Sequence, residues 1–403
     1  MKNTKKNDIK GLIIIISVLI IIILSTSLIS LLARGYRLNI KKGLSIKSTG
    51  LISATSTPKS ASVYINNRLI TATDDTINLP PDDYHIKISK DGFFSWEKNI
   101  KIIKEVVTQT NTTLFRSSPE LKPLSLSGAI NPALSPDKNK IVFSVASASA
   151  SKNNGLYLLE NDNTTLSLNK TNPKQLSPNS FNLDWSKATF KFSPDSRQFL
   201  ALFTNNSTAY LLSIETPINL QKLYDITSQI PLIEKDWQEQ ETATIELLLE
   251  KLPKEIKPLV STSSAQNIQF SSPETKVLYL ADSDQQIPDD IITPPPSQST
   301  QTQQRQINKD HYYIYDIKDD TNFLIGHKSD ISSPTWIHNS NNILFVQGNQ
   351  IKSIEYDSTN EITLFAGNFN QNLVTPWANS QQIVTVTSTY DGAPKNLHTI
   401  GIR

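Results

Sequence analysis

Apolar positions follow three patterns along this chain, and the first is an unbroken run near the N-terminus. From Gly11 to Leu32 the sequence contains no charged residue and is dominated by Ile and Leu. At about 1.5 Å of rise per residue, a helix of this length crosses the hydrocarbon core of a bilayer. The run is longer than the apolar stretch of a cleaved signal peptide, which has about 7–15 residues. We therefore predict an uncleaved transmembrane helix at residues 11–32.

Positive charges on both sides of this run bear on its orientation. Four lysines precede it and four basic residues follow it: Lys2, Lys5, Lys6, Lys10, Arg34, Arg37, Lys41 and Lys42. Basic residues favour the cytoplasmic side, but large domains translocate largely regardless of flanking charge. We predict a single-pass protein of the cell membrane, with a cytoplasmic tail at 1–10, a linker at 33–49 and the remaining domains outside the cytoplasm.

The second pattern is a set of short alternating segments between residues 50 and 115. The segment "ASVYINNRLI" predicts a strand pair whose inner face carries Val63, Ile65 and Leu69. Further short segments, "TINLPPDDYHIKIS" and "FFSWEKNIKII", are separated by turn residues. Several strands of about 5–7 residues split by turns are typical of a small β-sandwich.

This stretch resembles the PEGA domain family, whose sequences carry a Pro-Glu-Gly-Ala tetrapeptide, a "VYIDG" strand, an "LPPGxYxI" strand and a Gly-aromatic pair. The corresponding segments here are 58–61 (PKSA), 63–67 (VYINN), 79–86 (LPPDDYHI) and 91–93 (DGF). Ser60, Asp83 and Asn67 stand where the family often has glycine. The resemblance implies a PEGA-like β-sandwich at residues 50–115.

The third pattern is one phrase that recurs five times. An apolar or aromatic anchor is followed by a Ser/Pro/Asp/Asn turn and then by a strand of β-branched and aromatic residues. The anchors are Leu134, Phe192, Phe270, Trp336 and Trp377. A β-meander that recurs in this way predicts a propeller, because each blade buries its faces only against its neighbours. Ile141 and Phe143 in one phrase, and Phe199 and Ala201 in another, should face adjacent blades.

These phrases resemble the repeats of TolB-type β-propellers, whose signature is an "FSPDG" turn before a strand. Residues 192–195 read FSPD and residues 134–137 read LSPD, with Ser196 in the usual glycine position. The resemblance implies a propeller of five to six blades at residues 116–403. A sixth blade could be completed by residues 112–130 together with the C-terminal strands. Both families resembled are typical of bacterial cell-envelope proteins.

Two insertions interrupt the repeats. Residues 231–262 show helical spacing of Leu and Ile, with a break expected at Pro253. Residues 283–310 are polar with three successive prolines, and we predict a disordered or polyproline-like loop there.

Candidate binding residues come from the helical insertion and from the sandwich. Trp237, Leu248, Leu249 and Leu252 could dock a partner by an apolar helix face, or could pack against their own propeller. Phe94, with its neighbours Phe93 and Trp96, could stack on a sugar; alternatively, Phe93 and Trp96 fill the sandwich core.

Composition argues against several classes of chemistry. A formal net charge of +2 on 403 residues is not the excess of positive charge that is typical of nucleic-acid-binding proteins. The chain has no cysteine, its five histidines lack metal-ligand spacing, and no G-x-S-x-G or phosphate-binding glycine loop is present. The histidines and the Asp pairs at 82/83, 289/290 and 319/320 are expected on the surface or in turns. We therefore predict no catalytic residue, metal or cofactor.

The favoured interpretation is a mainly β, non-catalytic envelope protein that binds or scaffolds protein or cell-wall glycan partners. One alternative is a glycan-active enzyme with its site in the propeller channel, which predicts acidic residues on the innermost strands. Another is a membrane sensor that acts through a partner, because its ten-residue tail cannot hold an output domain.

Overall fold

The computed structural model describes residues 4–33, 37–39, 45–161, 172–180, 182–203, 208–216, 218–293, 295–296, 299–338, 341–377, 380–388, 390 and 392–403. The chain divides into two compact units. The first consists of residues 1–90, 95–112 and 296–300, and the second of residues 91–94, 113–295 and 301–403.

The apolar N-terminal run forms helix α1, Thr4–Ala33, whose sequence contains no proline to interrupt it. Within the part of the chain that the structure describes, no helix is long and apolar enough to cross a membrane. Of the predicted linker 33–49, residues 34–36 and 40–44 lie outside the described residues.

Short strands make up the rest of the first unit. They are β1 Arg37–Asn39, β2 Ser45–Lys47, β3 Gly50–Ala54, β4 Ser56–Thr57, β5 Ser62–Ile65, β6 Arg68–Ala72, β7 Asp75–Leu79, β8 Asp82–Ser89, β9 Trp96–Ile102, β10 Val107–Gln109 and β11 Thr112–Thr113. One sheet has the order β6-β5-β8-β9 and another the order β10-β3-β7. Alternate residues are buried, among them Val63, Ile86 and Trp96, as expected for strands with one face on a core.

Leu69 is the exception to the predicted inner face, because 62% of it is exposed. Asn66 and Asn67 both adopt positive φ in the turn, and the register shifts just beyond it. The two-residue turn pairs Ile65 with Arg68 and therefore Leu69 with Tyr64; the register shift comes after this pair, between Tyr64 and Val63. Cross-strand partners share a face, so Leu69 lies outside with Tyr64 and the prediction for Leu69 was wrong.

The second unit contains twenty-one strands and one α-helix in its described part. The elements are β12 Glu120–Pro123, β13 Ile130–Leu134, β14 Lys140–Val145, β15 Gly155–Glu160, β16 Lys174–Pro178, β17 Ala188–Phe192, β18 Gln198–Phe203, β19 Thr208–Ser213, α2 Ile230–Leu249, β20 Ala265–Phe270, β21 Lys276–Ala281, β22 Gln285–Gln286, β23 Gln306–Ile307, β24 His311–Asp316, β25 Thr321–His327, β26 Ser332–Trp336, β27 Asn342–Gln347, β28 Gln350–Glu355, β29 Ile362–Ala366, β30 Phe369–Trp377, β31 Gln382–Thr387 and β32 Asn396–Gly401. Short 3₁₀ turns lie at Ser151–Asn153, Trp185–Lys187, Leu220–Lys222 and Thr227–Gln229.

Most of these strands form five antiparallel sheets, one for each recurring phrase. Blade 1 is β13-β14-β15-β16, blade 2 is β17-β18-β19, blade 3 is β20-β21-β24-β25, blade 4 is β26-β27-β28-β29, and blade 5 is β12-β32-β31-β30. The first strands of successive blades contact each other from blade 3 through blades 4 and 5 to blades 1 and 2. The blades therefore follow the order 3-4-5-1-2, and the helical insertion, which packs on blade 3 and pairs with blade 2, joins the two ends of this series into a ring.

Strand β12 closes this ring. Leu121 pairs with Ile400, so a segment near the start of the unit becomes the outer strand of the blade made by the C-terminus. The residues expected to help build a sixth blade complete the fifth blade instead.

Buried side chains lie between the blades. The second strand of each four-stranded blade is buried along nearly its whole length, rather than at alternate positions, because neighbouring blades cover both of its faces. Ile141 and Phe143 pack with Val384 of blade 5. Phe199 and Ala201 pack in a cluster shared with blade 1. The predicted contacts between blades are confirmed at both positions.

Three first strands share a bulge three residues before the anchor. Asn131, Asn267 and Ser333 stand there with φ of 48°, 50° and 49°, and the strand register shifts beside each of them. Asn tolerates this left-handed conformation better than most residues. The Asn131 amide also donates to the Ala188 carbonyl oxygen of blade 2, at 2.8 Å.

Helix α2 and the turns after it pack against blade 3. The helix ends at Leu249, four residues before Pro253, in agreement with the predicted break. Leu249, Leu252 and Ile256 lie in one cluster with Tyr279 and Tyr315 of blade 3. Lys191 of blade 2 pairs with Glu234 of the helix at 3.0 Å. The insertion thus covers the face of blade 3 and also contacts blade 2.

The second insertion is ordered at both ends, contrary to the prediction of a disordered loop over 283–310. Strand β22 pairs with β23, and Ile287 and Ile307 are buried. Arg305 forms an ion pair with the buried Asp320, at 2.8 Å. The polar composition concealed these few anchoring residues; residues 294, 297 and 298 lie outside the described part.

Candidate functional site

A cavity of about 600 Å³ lies at the end of the ring where the turns that follow the anchors converge. The turns of blades 1, 3, 4 and 5 line it, together with Leu248 of the helical insertion. Among the described lining residues its polar groups are hydroxyls, amides, one histidine, one lysine and the carboxyl group of Asp137, and its apolar walls include Trp336 and Trp377. Ligand sites in proteins have similar volumes, about 300–1,000 Å³.

Lys138 is the cationic group of this cavity. It occupies the fourth position after the Leu134 anchor, with φ of 58°. Its ammonium hydrogen-bonds Thr335 of blade 4, so the side chain crosses from blade 1 to a blade that is not its neighbour in the ring. Burial lowers the pKa of the Lys138 ammonium.

Lys138 has no ion-pair partner among the described residues. The adjacent Asp137 pairs instead with Lys140, at 2.9 Å. Burial opposes ionisation of Asp137, but hydrogen bonds from Ser135, Lys140 and the Asn139 N–H outweigh burial and hold the pKa of Asp137 below its usual value. The carboxylate nearest in sequence is therefore committed to its own turn, and the Lys138 ammonium faces the cavity with only a hydroxyl partner.

The corresponding turn position in blades 2 and 5 carries serine. Ser196 and Ser380 both have φ of 59°. The Ser196 hydroxyl accepts from the Asp137 N–H of blade 1 at 3.1 Å, and the Ser380 hydroxyl accepts from the His338 N–H of blade 4 at 2.8 Å. Each serine thus links its turn to the neighbouring blade, whereas Lys138 extends into the cavity.

Trp336 is fixed within the wall of the cavity. Its indole N–H donates to the carbonyl oxygen of Gln269, at 3.0 Å, and the Gln269 amide donates to Pro334 at 2.9 Å. Both Trp336 and Trp377 are buried, with 7% and 2% exposed. The two indoles therefore supply a rigid apolar boundary to the cavity rather than an open stacking surface.

The four residues of the helical insertion that the sequence suggested as partner-binding residues differ in their burial. Trp237, Leu249 and Leu252 are buried, and Leu249 and Leu252 pack on blade 3. This burial favours the alternative that the sequence left open, packing within the propeller, and for the two leucines the packing partners lie in blade 3. Leu248 is half-buried and lines the cavity.

The aromatic group near residue 94 is divided between two environments. Phe94 is half-buried and packs against a cluster that contains Phe115 and Ile402. Trp96 is 3% exposed, which favours the core role that the sequence left open for it. Phe93 is half-buried and forms an isolated β-bridge with Arg116.

Acidic groups are absent from the innermost strands. None of β13, β17, β20, β26 and β30 carries an Asp or Glu. No group of three or more His, Cys, Asp or Glu that could hold a metal ion occurs among the residues described. His398, expected on the surface or in a turn, is only 1% exposed because it lies in β32 between two other strands.

The sequence missed Lys138, Thr335 and Ser380 as residues of one site. A signal was present for Lys138, because it replaces the small turn residue that the aligned phrase has at Ser196. Nothing local places Thr335 next to it, since the two residues lie in different blades.

Residues 49–118 match the PEGA domain family. The PEGA resemblance drawn from residues 58–93 is confirmed by this match. No curated protein matches the chain.

Solved structures that match the chain include TolB proteins. TolB from Acinetobacter baumannii is 12% identical, with 80% of this chain and 61% of that chain covered and a TM-score of 0.23. This chain thus spans about three fifths of that TolB. A putative TolB from Agrobacterium tumefaciens is 11% identical, with coverage of 86% and 99% and a TM-score of 0.21. The RRP9 WD40 repeats are 10% identical, with coverage of 71% and 99% and a TM-score of 0.32.

Proposed function

We propose that this chain is a non-catalytic, membrane-anchored protein of the cell envelope that binds or scaffolds partners outside the cytoplasm. The observation that carries the binding role is the cavity at the converging blade turns, with its lysine, hydroxyl and amide groups. The match of residues 49–118 to the PEGA family adds a second module to the chain.

The absence of acidic residues from the five innermost strands favours binding over hydrolysis of a glycan. A glycosidase uses a pair of carboxyl groups on either side of the scissile bond. In this ring the cavity contains the Asp137 carboxylate, which is held by Ser135 and Lys140. That carboxylate is therefore better suited to stabilising its turn than to protonating a leaving group.

Membrane anchoring is proposed from the uncharged run Gly11–Leu32. In this arrangement the short basic N-terminus stays in the cytoplasm and the two units lie outside it. The test is protease treatment of intact spheroplasts that express the full chain. Digestion of the C-terminal domains together with resistance of the chain to alkaline extraction is expected. Protection of these domains in intact spheroplasts, or release by alkali, would contradict the proposal.

The binding role is tested by co-sedimentation of the detergent-solubilised full chain with purified cell-wall material. A parallel crosslinking experiment in living cells tests for protein partners. The chain without residues 50–103, checked for cooperative unfolding, assigns any wall binding to the sandwich or to the ring of blades. Failure of the full chain both to sediment with the wall and to crosslink to an envelope protein would contradict the proposed function.

A further inference from the structure

Lys138 departs from the role that its turn position has in blades 2 and 5. At this position Ser196 and Ser380 hold a neighbouring blade through a backbone N–H. Lys138 makes the same left-handed turn, but its side chain crosses the cavity to Thr335. A long cationic side chain is not needed for the turn, because serine suffices in two other blades.

The surroundings of the ammonium leave its charge uncompensated. Asp137 is bonded to Lys140 and Ser135, and no ion pair among the described residues includes Lys138. Trp336 and Trp377 form apolar parts of the same cavity wall, and burial lowers the pKa of the Lys138 ammonium. A partly dehydrated cation that faces a cavity attracts an oxyanion, since the pairing recovers part of the lost hydration energy.

The remaining polar groups of the cavity suit a sugar. Ser272, Ser380, Gln269 and Asn139 contribute hydroxyl or amide groups to its lining. Hydroxyls and amides both donate and accept hydrogen bonds, as sugar hydroxyls do. An acidic peptide would offer apolar side chains and few hydroxyls to these groups, so the lining favours the sugar.

We propose that this cavity binds an acidic sugar, with the sugar carboxylate on the Lys138 ammonium and its hydroxyls on the neighbouring turns. This inference rests on the proposed binding function and specifies its ligand class. The cavity volume of about 600 Å³ accommodates a small saccharide. In the complex the sugar carboxylate bonds the Lys138 ammonium, either beside the Thr335 hydroxyl or in its place.

The test is isothermal titration calorimetry of the full chain in detergent with a galacturonate disaccharide and with the neutral galactose disaccharide of the same linkage. Lys138→Met removes the charge and keeps an unbranched side chain at the same backbone conformation. Lys328→Met removes a lysine that pairs with Asp310 on the surface, and serves as the matched control.

We expect the acidic disaccharide to bind and the neutral one to bind at least tenfold more weakly. Lys138→Met should weaken binding of the acidic sugar by about 10-fold to 100-fold, as expected for loss of a charge-assisted hydrogen bond. Lys138→Arg should retain part of the affinity, and Lys328→Met should leave it unchanged. The stability of Lys138→Met should equal or exceed that of the natural chain, because a partly buried charge is removed.

Four results would each overturn the inference, and the first three concern comparisons between ligands or variants. They are equal binding of the acidic and neutral sugars, undiminished binding by Lys138→Met, and preferential binding of a glutamate-rich peptide over the acidic sugar. Absence of any sugar binding would also overturn it. In each case the co-sedimentation and crosslinking experiments decide separately whether the proposed function holds, so the two failures are distinguishable.

Discussion

At the scale of single residues, the turns after the anchors of blades 2 and 5 combine a conformational cost with a compensating contact. Ser196 and Ser380 adopt a left-handed backbone that costs about 1 kcal/mol for a residue with a Cβ. Each hydroxyl accepts a backbone N–H from the next blade. A glycine at these positions would remove the backbone strain but also the hydrogen bond. Serine therefore accepts a strained backbone and gains a hydrogen bond between two blades.

Ser196→Ala and Ser380→Ala should each lower the free energy of unfolding by about 1–2 kcal/mol, because the strain remains and a backbone N–H loses its acceptor. Ser196→Gly is the matched control and should lose less, since the strain is removed as well. Urea unfolding followed by tryptophan fluorescence measures all three. An alanine variant as stable as the glycine variant would contradict the proposed link.

Asp195, in the same turn of blade 2, should make the free energy of unfolding depend on pH. The Ser193 hydroxyl donates to Asp195 at 2.6 Å, and this hydrogen bond, with one from the Arg197 N–H, lowers the pKa of Asp195. A lowered folded-state pKa gives stability that is present above the unfolded pKa of about 3.9 and is lost as the pH falls through the folded value. The stability difference between the natural chain and Asp195→Asn should therefore be constant near neutral pH and shrink below about pH 4.

The same comparison in a Ser193→Ala background identifies the donor. Without the serine hydroxyl, the substitution Asp195→Asn should change the free energy of unfolding by a smaller amount, and that change should depend less on pH. Urea unfolding at several pH values between about 3 and 7, a range that brackets the carboxyl titration, gives the comparison. If the difference in unfolding free energy between the natural chain and Asp195→Asn stays constant over this whole pH range, the proposed pH dependence of the Asp195 contribution is ruled out.

At the scale of elements, the helical insertion acts as part of the core of the ring. Its apolar side chains cover Tyr279 and Tyr315 of blade 3, and the turn residue Ile256 is completely buried. Polar and exposed positions lie on the other side of the helix, where 73% of Leu247 is exposed. The apolar spacing that suggested a docking face is explained by this packing.

Truncation of the buried face should therefore destabilise the second unit. Ile256→Ala should lower the free energy of unfolding by about 2–5 kcal/mol, because it leaves a cavity against blade 3. Leu247→Ala, on the exposed face of the same insertion, should change it by less than about 0.5 kcal/mol. Equal effects of the two substitutions in urea unfolding would show that the helix does not pack as described.

At the scale of the whole second unit, closure of the ring depends on a strand pair that joins distant parts of the chain. β12 is the outer strand of blade 5, and Leu121 and Lys122 pair with Ile400 and Thr399. Pro123 ends this strand, where a missing N–H is tolerated because the strand is at the edge of its sheet. The first and last blades are thereby held by hydrogen bonds in addition to side-chain packing.

Replacing both Leu121 and Lys122 by proline should open this closure. In an antiparallel pair alternate residues bond the partner strand, so the double substitution removes at least one bonding N–H. We expect a loss of at least about 2 kcal/mol and new protease cleavage between residues 113 and 130. Leu126→Pro, at a position that is 83% exposed, is the control. Unchanged protease resistance in the double variant would contradict the role of β12.

The sequence alone determined the strands of the five blades and the PEGA-like segment, because their signals are local. An anchor, a turn built from Ser, Pro, Asp or Asn, and a β-branched strand lie within a dozen residues, and turn chemistry acts over that distance. Contacts between neighbouring blades followed from the same pattern, as Ile141 and Phe199 show.

Tertiary structure decided what depends on residues that are far apart in the chain. The pairing of β12 with β32, the packing of Leu252 on blade 3 and the contact of Lys138 with Thr335 each join segments that share no local periodicity. Pairing across the turn at Asn66 and Asn67, rather than alternation along one strand, placed Leu69 on the outer face. Periodicity specifies which side chains seek burial, but only the folded chain specifies the surface that buries them and the cavity that remains between the blades.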